Sequence, residues 1–321
     1  MTKALALIGL ACLIGTSAMA QSYPARPITL VVPAPPGGVN DLTARLLGKQ
    51  LSEAWKAQVI IENKPGATNK IAAEYVARSA ADGYTLFVTA ESTFVINPTL
   101  FATLPYDPVR DFVPVTGLIS INHALIAHPS LPVNGVGDLI ELARKKPGDI
   151  NYGTYGPGST GHLNMAMLET MAGVKFTPVH YQGAAPAFND VMAGHIQMMF
   201  ISLGSAVQPA QAGRVKLLAT GGKTRVDRLP GTPTVAESGL PEFEAVSWFG
   251  LFAPAKTPRD IVLKLNAEAR RIFNDPDFRR TSLDPQFFMP MTGTPEEFAA
   301  FIATDAQKWA KVMRAAHVKI D

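Results

Sequence analysis

Between Ile28 and Thr89, short apolar runs rich in Val and Ile alternate with segments whose apolar residues recur every three or four positions. This rhythm constrains the fold more than any other feature. Two parallel strands joined by a helix need a right-handed crossover and a sheet covered on its faces. Ile28–Val32 reads as a buried strand and Pro33–Gly38 as a loop. Asn40–Trp55 reads as a helix with Leu42, Leu46, Leu47, Leu51 and Trp55 on its apolar stripe. Val59–Ile61 is expected as a second strand, Ile71–Ala80 as a second helix, and Thr85–Thr89 as a third strand behind the Asp82-Gly83 turn. The first unit is therefore expected to be an α/β lobe.

After Val113–Ser120 the rhythm restarts. Strands are expected at His123–Ala127, Asn151–Gly153, Phe176–Val179, Ile196–Phe200 and Val215–Ala219. Helices are expected at Val136–Lys145, His162–Met171, Ala185–Ala193 and Ala206–Ala212, which makes a second α/β lobe. Glu244–Phe252 is extended and apolar, and Arg259–Asn274 carries Ile261, Leu265, Ala269, Ile272 and Phe273 on one helical face. The last helix opens with Thr294-Pro295-Glu296-Glu297: an N-cap, a proline at the first helical position and a glutamate placed to close a capping box. Its apolar face, from Phe298 to Met313, needs a partner, and the first lobe's sheet is the expected one. The chain then crosses between lobes near residues 120 and 246. Two crossings make a hinge, and a hinged pair of lobes encloses a cleft. The expected division is residues 21–120 with 247–321 for the first lobe and 121–246 for the second.

Residues 1–20 read as a secretory signal peptide: Lys3 in the n-region, the apolar stretch Ala4–Gly15, and an Ala18-Met19-Ala20 cleavage site. The stretch falls short of the roughly 20 apolar residues that span a bilayer, so no stable membrane insertion is expected. Cleavage after Ala20 removes Cys12, the chain's one cysteine, and Lys3, which leaves 28 basic against 26 acidic residues. A thiol-free exported chain fits a bacterial periplasm. The near-balanced charge argues against a nucleic-acid partner, which would draw on a concentrated basic patch. An apolar share of 47% excludes a disordered chain.

Two glycine-bearing turns connect a strand to a helix, the place where open α/β sheets bind ligands. Pro33-Ala34-Pro35-Pro36-Gly37-Gly38-Val39-Asn40-Asp41 offers close backbone approach and a helix N-terminus with free N–H donors; a rigid turn with Asn40 or Asp41 as a plain cap is the alternative. Tyr155-Gly156-Pro157-Gly158-Ser159-Thr160-Gly161-His162 matches G-x-G-x-x-G. The acidic residue that dinucleotide binding needs some twenty positions on is missing, since Val179-His180-Tyr181-Gln182 stands there. A small-anion loop built from amides and the Ser159 and Thr160 hydroxyls suits it better. Ser159 as a nucleophile lacks the G-x-S-x-G elbow, because position 157 is proline. The six histidines show no H-x-H or H-E-x-x-H spacing, so neither a metal nor a cofactor is expected. His162 is a first-turn helix residue able to donate to a carboxylate. Glu91 and Ser92 follow the third strand at a carboxyl edge, where Glu91 either repels acids, selects a cationic or hydrogen-bonding group, or stands in solvent. Trp248-Phe249 at the second crossing reads as core rather than as a ligand platform.

The sequence resembles the tripartite tricarboxylate transporter receptors, the Bug or TctC-type extracytoplasmic solute receptors. The resemblance rests on Tyr23-Pro24-Ala25-Arg26-Pro27-Ile28, Val31-Val32-Pro33 through Gly38, Glu62-Asn63-Lys64-Pro65-Gly66-Ala67, Asp82-Gly83-Tyr84-Thr85-Leu86, Leu104-Pro105-Tyr106-Asp107-Pro108, Tyr181-Gln182-Gly183, Pro233-Thr234-Val235-Ala236-Glu237 and Ser247-Trp248-Phe249-Gly250. It runs from Tyr23 into the final helix. It implies a type II periplasmic binding protein, two α/β lobes closing on a small organic acid, with inner-membrane permease subunits as partners. It also implies ligand contacts from Ala34, Pro36, Gly37, Gly38 and Asp41 on one side and from Tyr155, Gly158, Ser159, Thr160 and His162 on the other. Thr89, Ala90, Glu91, Ser92, Tyr181, Gly183, Ala184 and Ser202 line the same cleft on this resemblance.

Three departures bear on the ligand. Relatives often carry an aromatic residue where Ala34 stands, a Gly-Ala-Gly-Gly run where this chain has Gly66-Ala67-Thr68-Asn69, and a small or neutral residue at Glu91. The expected ligand is therefore bulkier than aspartate or glutamate, such as an aromatic acid or a longer dicarboxylate. A sensor subunit presenting the same acid to a signalling partner is a second reading. An exported hydrolase using Ser159, His162 and Asp190 is a third.

Overall fold

The computed structural model describes residues 23–315. The expected signal peptide and its cleavage site lie outside the described residues. Ten strands are described: β1 (Ile28–Val32), β2 (Val59–Asn63), β3 (Thr85–Ala90), β4 (Phe112–Ala127), β5 (Asn151–Thr154), β6 (Thr177–His180), β7 (Met198–Ser202), β8 (Lys216–Thr220), β9 (Val246–Pro254) and β10 (Phe288–Pro290). The helices are α1 (Val39–Trp55), α2 (Lys70–Ala77), α3 (Asn97–Leu100), α4 (Val136–Lys145), α5 (Thr160–Ala172), α6 (Ala184–Ala193), α7 (Leu203–Gln211), α8 (Arg259–Asn274), α9 (Pro276–Phe278) and α10 (Pro295–Ala315).

The strands run in the order β2-β1-β3-β9-β4-β7-β5-β6, with β8 and β10 also pairing with β4. Strands β1, β2 and β3 are parallel, as are β5, β6 and β7. The sixteen-residue β4 belongs to both lobes: Phe112 to Asn122 pair with β9, while His123 to Ala127 pair with β7 and β8. His123–Ala127, expected as a strand of its own, is thus the end of a longer strand that begins at Phe112, because Ile121 and Asn122 carry no turn residue and pair with Ser247 and Val246. The return crossing is Ala245 into β9, fixed by the Ala245 and Gly221 amides exchanging bonds with their neighbours. The architecture is α/β, with two lobes joined by two crossings, as in type II periplasmic binding proteins.

Alternation along the strands puts a core on each face of each sheet. In the first lobe Leu30, Leu86, Val88 and Leu251 meet α1 and α8, while Val31, Phe87 and Phe252 meet α2 and α10. In the second, Leu125, Tyr152 and Phe200 meet α4 and α5, while Ala124, Met199 and Ile201 meet α6 and α7. Each fully buried Leu, Ile, Val or Phe contributes about 1.5–3 kcal/mol. The one-sided faces of α8 and α10 dock on the first lobe's sheet as expected. The capping box of α10 forms as read: Glu297 Oε2 accepts from Thr294 N at 2.8 Å and Thr294 Oγ1 accepts from Glu297 N at 3.1 Å. Segment 276–290, which shows no clear period, folds into short helical turns and β10. It touches the second lobe, where Arg228 lies over the Phe287 ring at 4.3 Å and donates to the Asp284 carbonyl.

Candidate functional site

Parallel strands of one sheet end on the same edge, so the turns after β1 and β3 share one rim and those after β5, β6 and β7 share another. On the first rim, the register of β1 on β3 (Val31 opposite Phe87) brings the carboxyl ends of the two strands to the same edge. Gly37 takes a φ of +94°, a left-handed conformation that glycine supplies at little cost, and α1 starts two residues later. The N-cap Gly38 has no side chain to bond the helix end, and the first helical bond runs from Leu42 N to Gly38 O. Among the described residues, the N–H groups of Gly38, Val39, Asn40 and Asp41 consequently have no acceptor, and they carry the positive end of the α1 dipole.

The Asp41 side chain is turned away from this opening. It is 3% exposed. Its Oδ2 accepts from Gly37 N at 2.9 Å and Arg45 Nε at 2.8 Å, and its Oδ1 accepts from Asn63 Nδ2 at 3.0 Å. Burial alone pushes this carboxyl up, but the bonds from Arg45, Gly37 and Asn63 outweigh it and bring the pKa down to about 2. Asn63 also holds the Ala34 carbonyl at 2.9 Å. Asp41, Asn63 and Arg45 together brace the turn.

The second rim is built the same way. The Ser159 Oγ caps α5 by accepting from His162 N, and Gly158 N donates to His162 Nδ1 at 3.1 Å. That bond leaves the proton of the neutral ring on Nε2. Burial, with a smaller contribution from His180, lowers the His162 pKa to about 4. His162 is therefore a neutral brace that can donate from Nε2 but brings no positive charge. Thr160 N has no acceptor among the described residues. Gly161 is required by close approach, since a Cβ there would lie 2.5 Å from Tyr155 Cε1. At the ends of β6 and β7, α6 begins at Ala184 after an N-cap Gly183, and α7 begins at Leu203 after Ser202; neither has a side-chain cap. Three helix N-termini of the second lobe thus share its rim.

The two rims meet at Glu91. Thr160 Oγ1 donates to Glu91 Oε1 at 3.1 Å, a bond from α5 of the second lobe to the end of β3 in the first. Ser247 Oγ donates to the same oxygen at 2.8 Å. Glu91 is 1% exposed, so its side chain is neither in solvent nor open to the cleft. Among the described residues no hydrogen bond joins the 34–41 turn directly to the 155–162 turn. Thr89 Oγ1 bonds Thr93 Oγ1 at 2.7 Å, and Ser92 Oγ accepts from Asn69 Nδ2 at 2.9 Å. The Tyr181 hydroxyl donates to Asp190 at 2.6 Å, and Ser202 Oγ bonds Ser205 Oγ at 2.8 Å. Pro36 stands exposed on its turn, and Ala90 and Ala184 are half-buried. Asp190 also bonds His195 Nδ1 at 3.2 Å. Ser159, His162 and Asp190 therefore do not form the relay that a serine hydrolase needs.

The family model "Tripartite tricarboxylate transporter family receptor" (TctC) matches residues 43–318. The chain belongs to this family. TctC relatives of similar length include BugT of Bordetella pertussis, 31% identical over 324 residues that cover 100% of this chain and 99% of BugT. Among solved TctC-type structures, R. palustris Rpa4515 with adipate has 35% identity and a TM-score of 0.86, covering 93% of this chain and 100% of its own. MatC (Rpa3494) from Rhodopseudomonas palustris with bound malate has 31% identity and a TM-score of 0.79, covering 90% and 99%.

In this TctC member, sequence reading missed Asn63, Arg45, Asn69, His123 and Ser247. His123 and Ser247 are polar residues inside otherwise apolar strand runs at the two crossings, which is a usable signal for buried hydrogen-bonding partners. Trp248 is core, as expected, with its indole Nε1 donating to Asp305 at 2.7 Å.

Proposed function

We propose that this protein is a periplasmic receptor that closes its two lobes on a small dicarboxylate and hands it to the permease subunits of a tripartite tricarboxylate transporter. The observation that carries this reading is the set of main-chain donors at helix N-termini on both rims that are unpaired among the described residues: α1 in the first lobe, and α5 and α6 in the second. Such donors hold a carboxylate without an arginine clamp, because oriented amides and the helix dipole favour negative charge. Gly38 to Asp41, Thr160, and Gly183 with Ala184 are the proposed contacts, with Asp41 acting through its main chain and its side chain as a positioning group. Two facing sets of donors suit an acid with a carboxylate at each end. The adipate in Rpa4515 and the malate in MatC have that form. The small Ala34 leaves room that favours the longer of the two. The lobes divide at the two crossings, with residues 21–120 and 247–321 against 121–246, and export follows cleavage after Ala20.

A thermal-shift screen of aliphatic and aromatic mono-, di- and tricarboxylates tests the reading. An acid at 100 times its dissociation constant adds about 2.7 kcal/mol of stability. A clear rise with adipate or a similar dicarboxylate is expected. No rise with any acid contradicts the proposal.

A further inference from the structure

Glu91 is buried where three parts of the molecule meet. It ends β3 in the first lobe, it receives Thr160 from the second lobe, and it receives the Ser247 hydroxyl and the Trp248 amide (3.3 Å to Oε2) from the crossing strand β9. With Glu91 ionised, the Ser247 hydroxyl donates to it and His123 Nε2, 2.8 Å from Ser247 Oγ, donates to Ser247; with Glu91 protonated, the carboxyl hydrogen goes to Ser247 Oγ, whose own hydrogen goes to His123 Nε2. His123 Nδ1 is buried without a partner among the described residues. A polar chain runs from β4 through β9 to the ends of β3 and α5. It touches both crossings and both lobes.

The charged and titratable groups facing Glu91 are of the wrong kind to neutralise it. Tyr155 faces it from the second rim, and burial holds that phenol protonated. His123 on β4 is kept neutral by burial, its pKa lowered to about 4. Asp305 on α10 approaches through the Trp248 indole and adds negative charge. Lys308 stands 4.0 Å beyond, at Asp305, and is engaged by Glu244 at 2.8 Å. An ionised Glu91 in this setting is a buried charge without a cation, an arrangement that costs several kcal/mol and is relieved by taking up a proton. Thr160 is the second-lobe group among the Glu91 partners, so parting the lobes would break its bond and uncover the oxygen it holds.

We propose that Glu91 is a proton-linked latch, tying the second lobe to the hinge through Thr160 and Ser247 when the cleft is shut, so that closing takes up a proton and opening releases it. The proposal rests on the reading of the protein as a receptor that closes on an acid. It assigns Glu91 to closure rather than to ligand contact. Thr160 joins the two events, since its N–H faces the proposed carboxylate site while its hydroxyl holds the latch.

Burial raises the Glu91 carboxyl from 4.5 to about 7 in the shut arrangement. The shut form therefore binds the proton more tightly, and acid favours closure. The effect is complete below the exposed value and is lost as pH rises through about 7. Between pH 8.5 and pH 6.0 these values give roughly a tenfold gain in closure.

Calorimetric titration with adipate, in two buffers of different ionisation enthalpy, tests the latch over a range in which adipate stays largely doubly ionised. The expected result is about tenfold tighter binding at pH 6.0 than at pH 8.5, with about one proton taken up at the lower pH and about none at the higher. Glu91→Gln, which keeps the shape and the acceptor oxygen, should bind alike at both values with no proton uptake. Thr160→Val should lose most of the pH ratio. A wild-type ratio within twofold, or a Glu91→Gln protein that keeps the wild-type ratio, overturns the proposal. Small-angle scattering without any acid separates the two claims. A smaller radius of gyration at pH 6.0 than at pH 8.5 in the wild type, absent in Glu91→Gln, supports the latch even if no acid binds; a radius unchanged by pH in the wild type counts against it.

Discussion

Replacing Asp41 by asparagine tests whether the first turn is held by a charge rather than by its glycines. In the folded protein the carboxylate accepts three hydrogen bonds, from Gly37 N, Arg45 Nε and Asn63 Nδ2, at 2.8–3.0 Å. Asp41→Asn keeps the volume but turns one acceptor into a donor facing donors. The carboxyl is lowered from 3.8 to about 2, and a shift of that size corresponds to about 2 kcal/mol of stability at neutral pH. Because the folded value is the lower one, the contribution is fully present above about pH 4 and declines as pH falls through about 2; at pH 3 about 1 kcal/mol is left. Urea unfolding of wild type and variant at pH 7 and pH 3 measures the difference directly, with the slope m checked for constancy. The variant should be less stable by about 2 kcal/mol at pH 7, with the gap closing in acid. Its affinity for adipate should fall at least tenfold, since the amides lose their fixed orientation. Equal midpoints at pH 7 together with unchanged affinity would refute the bracing argument.

Ala34→Phe fills space at the first rim and should weaken adipate binding at least tenfold, about 1.4 kcal/mol, when measured by calorimetry. Thr68 is β-branched and sits at φ 53°, ψ 52°, a left-handed conformation that strains such residues by about 1–2 kcal/mol. Thr68→Gly should therefore raise the urea midpoint, with a stability gain of up to about 1 kcal/mol after the greater freedom of glycine in the unfolded chain is counted; a lowered midpoint would contradict the strain. Ser159→Ala removes the cap of α5 and should cost about 1 kcal/mol in the same assay. Hydrolysis of p-nitrophenyl acetate should be at background level in both wild type and Ser159→Ala, and a serine-dependent rate would revive the hydrolase reading.

Where apolar periodicity ran for several turns or bounded a short strand, the sequence was sufficient: Asn40–Trp55, Val136–Lys145 and Arg259–Asn274 lie on α1, α4 and α8 with at most one residue of difference. The Thr294 capping box was legible because every part of it lies within four residues. What escaped depends on distant pairing. Ser92 to Leu100 coils into a π-turn and α3 only because Asn97, Tyr106 and the Thr68 carbonyl share hydrogen bonds. The role of Glu91 could not be read locally, since its partners stand 69 and 156 positions away. The same is true of Asp41, which looked like a ligand contact or a plain cap. Its actual partners, Arg45 one turn on and Asn63 at the end of the neighbouring strand, become visible only once β1 and β2 are paired. His162 was placed correctly in the first turn of its helix, but its neutral state follows from burial beside His180, which no spacing rule reports.

A crystal structure of the protein grown with adipate tests the account most directly. It should show one carboxylate of the acid within hydrogen-bonding distance of main-chain N–H groups from Gly38 to Asp41 and the other near those of Thr160 and Ala184, with no lysine or arginine touching either. An acid seated outside the two rims, or gripped by side-chain cations, would contradict it.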